Sequence, residues 1–178
     1  MPYEWIKWLN REHEKDYTMK DVTHWNWYND LDINAFKWFE GGHAFTLIEP
    51  LPYAVEFFNE MADLFETHIL TASSKVMKKP KDKHISDYFG DVSVIHHYNK
   101  WEYAIDKIND GRKRILIDDR PYNCIKWVEN GGIAFLFNHN QDYHYCHADY
   151  PHENLIKVSS YEDIRAHIYI MEAEQEAR

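Results

Sequence analysis

Cysteine is scarce. Cys124 and Cys146 are the only two in 178 residues, too few for a disulfide scaffold, and such usage points to a reducing, cytoplasmic setting. No apolar run approaches the ~20 residues needed to span a bilayer, so no membrane partner is expected. The opening stretch, "MPYEWIKWLNREHEKDY", has no secretory hydrophobic core. Fixed-period repeats and low-complexity linkers are also missing. Positive charge is in deficit, with 20 Lys and Arg against 30 Asp and Glu, a formal charge of −10. A surface of that sign repels a phosphate backbone, which argues against a duplex-binding module. A small anion in a local basic pocket is still compatible with it.

Aromatic residues are plentiful at 16%, seven of them Trp, which excludes a disordered chain. The length suits a compact fold with a sizeable core. The pattern changes near residue 45. Residues 1–45 hold Trp5, Trp8, Trp25, Trp27 and Trp38, and in "YEWIKWLNREH" Trp5, Trp8 and Leu9 recur at helical spacing. Thr18 with Asp21 three residues later is a loose capping signal. This region reads as short helices in an aromatic-rich cap, with residues 46–178 as a core.

From Leu51 helices and strands alternate. "LPYAVEFFNEMADLF" predicts a helix with Pro52 in its first turn and Ala54, Phe57, Phe58, Met61, Leu64 and Phe65 on one face. "THILTA", "VSVIHH", "RILI", "IAFLF" and "NLIKV" read as strands. "DKHISDYF", "KWEYAIDKIND" and "YNCIKWVEN" read as helices, stopped by Gly90, Gly111 and Gly131-Gly132. Ser159 with Glu162 predicts a capping box for the last helix. The alternation predicts an α/β fold with a parallel sheet covered on both faces. Ligands of such sheets bind at the carboxyl ends of the strands.

Three strand ends carry suitable groups. Thr71-Ala72-Ser73-Ser74 offers hydroxyls and backbone N–H groups before a helix start, either a phosphate cradle or ordinary capping. Lys100 begins a helix, where a cation opposes the helix dipole. Asp118-Asp119 follows "ILI". Adjacent carboxylates repel unless a cation relieves them, and oxygen-rich sites suit Mg²⁺; the other reading is a pair pointing into water. The run "KVMKKPKDK" (75–83) either surrounds a phosphate entrance or is a solvated loop.

Thr-x-Ser, then Lys, then Asp-Asp on successive strands is the order of the later motifs of haloacid-dehalogenase-like phosphatases. "IEPLPYAVEFFNEMADL", "SDYFGD", "LIDDRPYN" and "FNHNQ" narrow the likeness. From about residue 45 to about 141 the chain resembles the 5′(3′)-deoxyribonucleotidases, which remove phosphate from deoxynucleoside monophosphates. The resemblance implies a three-layer Rossmann-like core with a small helical cap and a Mg²⁺ cofactor. It implies that Thr71 and the Ala72 amide hold phosphate oxygens, with Ser73 beside them. Lys81 would be a substrate-side lysine, and Lys100 would neutralise the phosphoryl group. Asp119 would ligate Mg²⁺, Asp118 would support it, and Phe45 would pack on the base. Cations around the transferring phosphoryl and an aromatic lid that excludes water form a coherent set.

The family begins with a strand ending in Asp-x-Asp, whose first Asp is the nucleophile and whose second is the acid–base. No apolar strand of this kind precedes the cap segment, which opens at Met1-Pro2-Tyr3. Asp30-Leu31-Asp32 lies inside the cap without a buried strand before it, and reads as turn or helix-initiating carboxylates. The missing strand is central in the family. Its loss strips ladder hydrogen bonds from the strands ending at Thr71 and Asp118, at roughly 1–3 kcal/mol per unpaired buried group. Three explanations are open: a start assigned at an internal methionine, closure of the gap (by the flanking strands or by "NLIKV"), or a strand donated by a partner. The chain as it stands is expected to show little phosphatase turnover.

Three other readings compete. A catalytically dead protein would bind a nucleotide or a partner at the same site. Zinc at His139, His144, Cys146, His147 and His152 fits no closed ligand spacing, and "HNQDYHYCHADYPH" reads as a polar loop. Nucleic-acid stacking on exposed tryptophans conflicts with the net charge. A homo-oligomer is one option the sequence leaves open.

Overall fold

A computed structural model of the chain describes residues 2–31, 33–34, 37–38, 44–105, 112–139, 146–147 and 149–177. The chain is mixed α/β and divides into two compact units, Met1–Lys100 and Trp101–Arg178.

The first unit opens with α1 (Pro2–His13) and two 3-10 turns, Met19–Asp21 and Trp27–Asp30. Helical spacing buries Trp5, Ile6 and Leu9, so Ile6 takes the inward place expected of Trp8. Trp5 lies 5.8 Å from the Trp27 ring and 6.5 Å from the Trp38 ring, stacked on the latter. Offset and edge geometries of this kind suit aromatic quadrupoles. Trp5, Trp27, Trp38 and Trp127 are buried, and Trp8, Trp25 and Trp101 are half-buried. The Asp21 carboxylate accepts from both the Thr18 N–H (2.7 Å) and the Thr18 hydroxyl (2.8 Å), so the capping signal holds, on a turn of three residues.

Helix α2 (Ala44–Leu47) precedes α3 (Ala54–Leu64). Pro52 lies before α3, not in its first turn: Tyr53 sits between them with φ +65°, a left-handed conformation from which a helix cannot be continued backwards. Phe57 and Met61 are buried, while Leu64, expected on the same face, is exposed at the helix end.

Strand β1 (Ile69–Thr71), helix α4 (Lys75–Phe89) and strand β2 (Val94–His96) form a β-α-β unit. The strands pair in parallel, Thr71 opposite His96. The Ser74 hydroxyl accepts from the Met77 N–H and starts α4, and Gly90 closes it at φ +73°. The basic run 75–83 is therefore helical, not a loop. Pro80 lacks the N–H for the i→i−4 bond, yet the helix continues through it.

Helix α5 (Lys100–Ile105) comes next, at the division between the units. The second unit contains β3 (Ile115–Asp118), α6 (Pro121–Glu129), β4 (Ile133–Phe137), β5 (Leu155–Val158) and α7 (Tyr161–Glu176). Its sheet has the order β3-β4-β5, all parallel. Ala134, Phe135 and Leu136 of β4 are buried, together with Cys124, Trp127 and Val128 of α6 and Ile164 and Ile168 of α7. A Cβ on Gly132 would meet the Trp127 indole Nε1 at 2.3 Å, so glycine lets that ring close over the turn. The capping box of α7 is shifted by one residue from Ser159–Glu162: the Ser160 hydroxyl accepts from the Asp163 N–H, and Asp163 accepts from the Ser160 N–H.

The described residues form two parallel sheets in place of one continuous sheet. Among them, β1 pairs only with β2, and β3 only with β4. "NLIKV" does not fill the place beside β3, because β5 pairs with β4 on the other side.

Candidate functional site

In the first unit, the carboxyl end of β1 and the middle of α4 meet. Thr71 is the last residue of β1. Lys81, in α4, donates to the Thr71 hydroxyl oxygen at 2.7 Å and to the Ala72 carbonyl at 2.9 Å. Its ammonium lies 5.4 Å from the centroid of the Phe45 ring, within cation–π range. Phe45 in turn faces His84, with ring centroids 6.0 Å apart.

The electrostatics are those of an anion site. Burial, and next the charge of Lys100, pull the Lys81 ammonium down to about 8, against the opposing pull of Asp82. A desolvated lysine beside a second lysine gains from any anion placed against it. Lys100 is half-buried at the first position of α5. The Ser73 hydroxyl is buried without a hydrogen-bond partner. The two readings of Thr71-Ala72-Ser73-Ser74 thus divide by residue. Ser74 caps α4, Thr71 receives Lys81, and Ser73 keeps an unused hydroxyl. Thr71, Ala72 and Phe45 each meet Lys81, and Lys100 is within electrostatic reach of it.

The sequence reading missed a second pair here. His96 ends β2 opposite Thr71 and lies 2.6 Å from Asp82 through Nε2. Desolvation works against ionisation of Asp82, but hydrogen bonds from His96 and Lys78, and their charges, hold its carboxyl below the ordinary value. Asp82 is then ionised at neutral pH, so the imidazole Nε2–H must be the donor. The only sequence signal was that Asp82 follows Lys81 directly and that "VIHH" ends in histidines.

In the second unit, Asp118 ends β3 and is buried. Its Oδ1 accepts from the Arg120 N–H (2.8 Å) and the Asn123 side chain (3.0 Å), which ties the strand end to the start of α6. Asp119, next in the chain, is half-buried. Burial, then the charges of Asp119 and Asp118, push the Cys146 thiol up to about 12, so both carboxylates act on that spot. Among the described residues no group of three or more His, Cys, Asp or Glu could hold a metal ion.

Asp30 ends the second 3-10 turn, exposed, 3.4 Å from His24, and Asp32 is outside the described residues. In the histidine-rich stretch, residues 140–145 and 148, His144 among them, also lie outside. No helix among the described residues is long and apolar enough to cross a membrane.

No family model matches the chain, and no curated protein matches it.

Proposed function

We propose that the chain recognises nucleoside 5′-monophosphates, deoxyribonucleotides among them, in the manner of the haloacid-dehalogenase-like 5′-nucleotidases it resembles. Thr71, Ala72, Ser73, Lys81 and Lys100 take the phosphate, and Phe45 takes the base. The resemblance further implies that Asp119, steadied by Asp118 in the second unit, would hold Mg²⁺, which in that family supplies Lewis-acid chemistry. In the complete family Thr71 and Lys100 act on the phosphoryl group as an aspartyl-phosphate forms and breaks.

One observation carries the reading: Lys81, desolvated and repelled by Lys100, is held 2.7 Å from the Thr71 hydroxyl. A desolvated cation on a strand-end hydroxyl, with a second cation acting on it, favours a doubly charged phosphomonoester over a neutral ligand. A second reading, binding without chemistry, has its own support. The described strands end in Thr71, His96, Asp118, Phe137 and Val158, and none of them ends in Asp-x-Asp.

Calorimetric titration with deoxyuridine monophosphate in Mg²⁺ tests the site. Saturable binding is expected. Thr71→Val removes the hydroxyl at nearly constant shape and is expected to weaken binding by about tenfold, the worth of one hydrogen bond to a charged group. Equal affinity of wild type and Thr71→Val, with the variant folded, removes Thr71 from the site. No binding by the wild type overturns the reading.

A further inference from the structure

The Asp82–His96 pair has no part in the phosphate site just described, yet it is built into the same strand ends. Lys81 and Asp82 are consecutive on α4, so their side chains diverge by about 100° around the axis. Lys81 reaches Thr71 and Ala72 at the end of β1. Asp82 reaches His96 at the end of β2. Thr71 and His96 are direct partners in the parallel pair. Two neighbouring residues of one helix thus grip two neighbouring strand ends.

The grip falls directly after Pro80, where α4 has lost a backbone hydrogen bond. A helix weakened there can shift unless its side chains fix it. His96 is largely buried, with 14% of its side chain exposed, whereas Asp82 is 38% exposed. Its Nδ1 is buried with no hydrogen-bond partner. The ring is therefore held through its single bond to Asp82, and nothing else anchors its polar edge. Lys78, one helical turn before Asp82, shares that carboxylate at 3.1 Å, on the solvent side.

We infer that Asp82 and His96 form a positioning pair that holds α4 in register with the strand ends and so places the Lys81 ammonium over Thr71. The inference rests on the anion-site reading for its consequence in binding. The clamp itself can be tested without any ligand.

The experiment uses the full chain with its lysines ¹³C-labelled, and follows the titration of the Lys81 side chain by NMR, with inorganic phosphate as the binding probe. In the wild type Lys81, pulled down by burial and Lys100, is expected to titrate at about 8. His96→Phe keeps the ring and every other charge facing Lys81, namely Lys100 and Asp82, but removes the donor. Release of Lys81 into solvent is expected to return its titration toward 10.5, with phosphate binding weakened by about tenfold. His96→Gln retains a donor near the Nε2 position and is expected to keep both properties close to wild type. Should the Phe variant fail to fold, Asp82→Ala, which removes the acceptor, replaces it. Loss of the Asp82 charge alone lowers the Lys81 pKa further, whereas release raises it, so the direction separates electrostatics from positioning. A Lys81 titration unmoved in folded His96→Phe, or lowered in folded Asp82→Ala, overturns the clamp. If no protein binds phosphate while Lys81 is released as described, the clamp stands and the site reading fails.

Discussion

Lys81 serves two opposed ends. Its charge attracts an anion, and its burial makes that charge costly. The folded pKa of about 8 lies below the ordinary 10.5, so between these values the unfolded chain binds more protons than the folded one. Stability from this group therefore rises as pH climbs from about 8 to 10.5, and below 8 the folded protein bears the whole desolvation cost. Lys81→Met is expected to resist urea better than wild type at pH 7, with the difference closing as pH rises through that window. Wild-type phosphate affinity should fall over the same range as the ammonium deprotonates. A Lys81→Met stability gap that is independent of pH would contradict the burial of a charged lysine. At this scale the order of motifs singled out Thr71 and Lys100, and Lys81 came only from the family resemblance. It did not reveal His96, because a histidine at a strand end looks the same in sequence whether it meets a carboxylate or water.

At the scale of the element, α4 is the informative case. Its capping residue Ser74 and terminal Gly90 are ordinary helix punctuation, but Pro80 stands sixth in the helix and cannot donate to the Val76 carbonyl. Lys78–Asp82 and Lys83–Asp87 at i,i+4 spacing offset only a few tenths of a kcal/mol each. Pro80→Ala is expected to raise the unfolding free energy by about 1–3 kcal/mol, read from urea denaturation. An unchanged midpoint would mean that the proline's fixed φ already suits the helix there. Strand positions were well read from their apolar runs: β4 matches "IAFLF" residue for residue. Helix starts were read less well. The left-handed Tyr53 and the one-residue choice between Ser159 and Ser160 depend on backbone torsions that residue type constrains weakly.

For the whole molecule, the arrangement of strands decides what chemistry is available. Among the described residues β1 and β3 each have one strand neighbour, and none of the described strands ends in Asp-x-Asp. The 178-residue chain with Mg²⁺ and a deoxynucleoside monophosphate is therefore expected to release no phosphate above the uncatalysed background. Rapid, metal-dependent release would show that a nucleophile is present after all. With a net charge of −10, Lys81 and Lys100 are neighbouring cations on an acidic chain.

Composition and periodicity by themselves determined the alternation of helices and strands, the parallel pairing and the aromatic core of the first quarter. Each of these follows from which residues must leave water and at what spacing. Tertiary structure alone decided that α4 runs unbroken through Pro80, that Lys81 turns inward to Thr71 while Asp82 turns to His96, and that Asp118 is spent on the start of α6. Those outcomes depend on which polar groups meet once the apolar faces have packed. A sequence fixes how many donors and acceptors the chain carries, but their pairing is set only when burial makes an unpaired group costly.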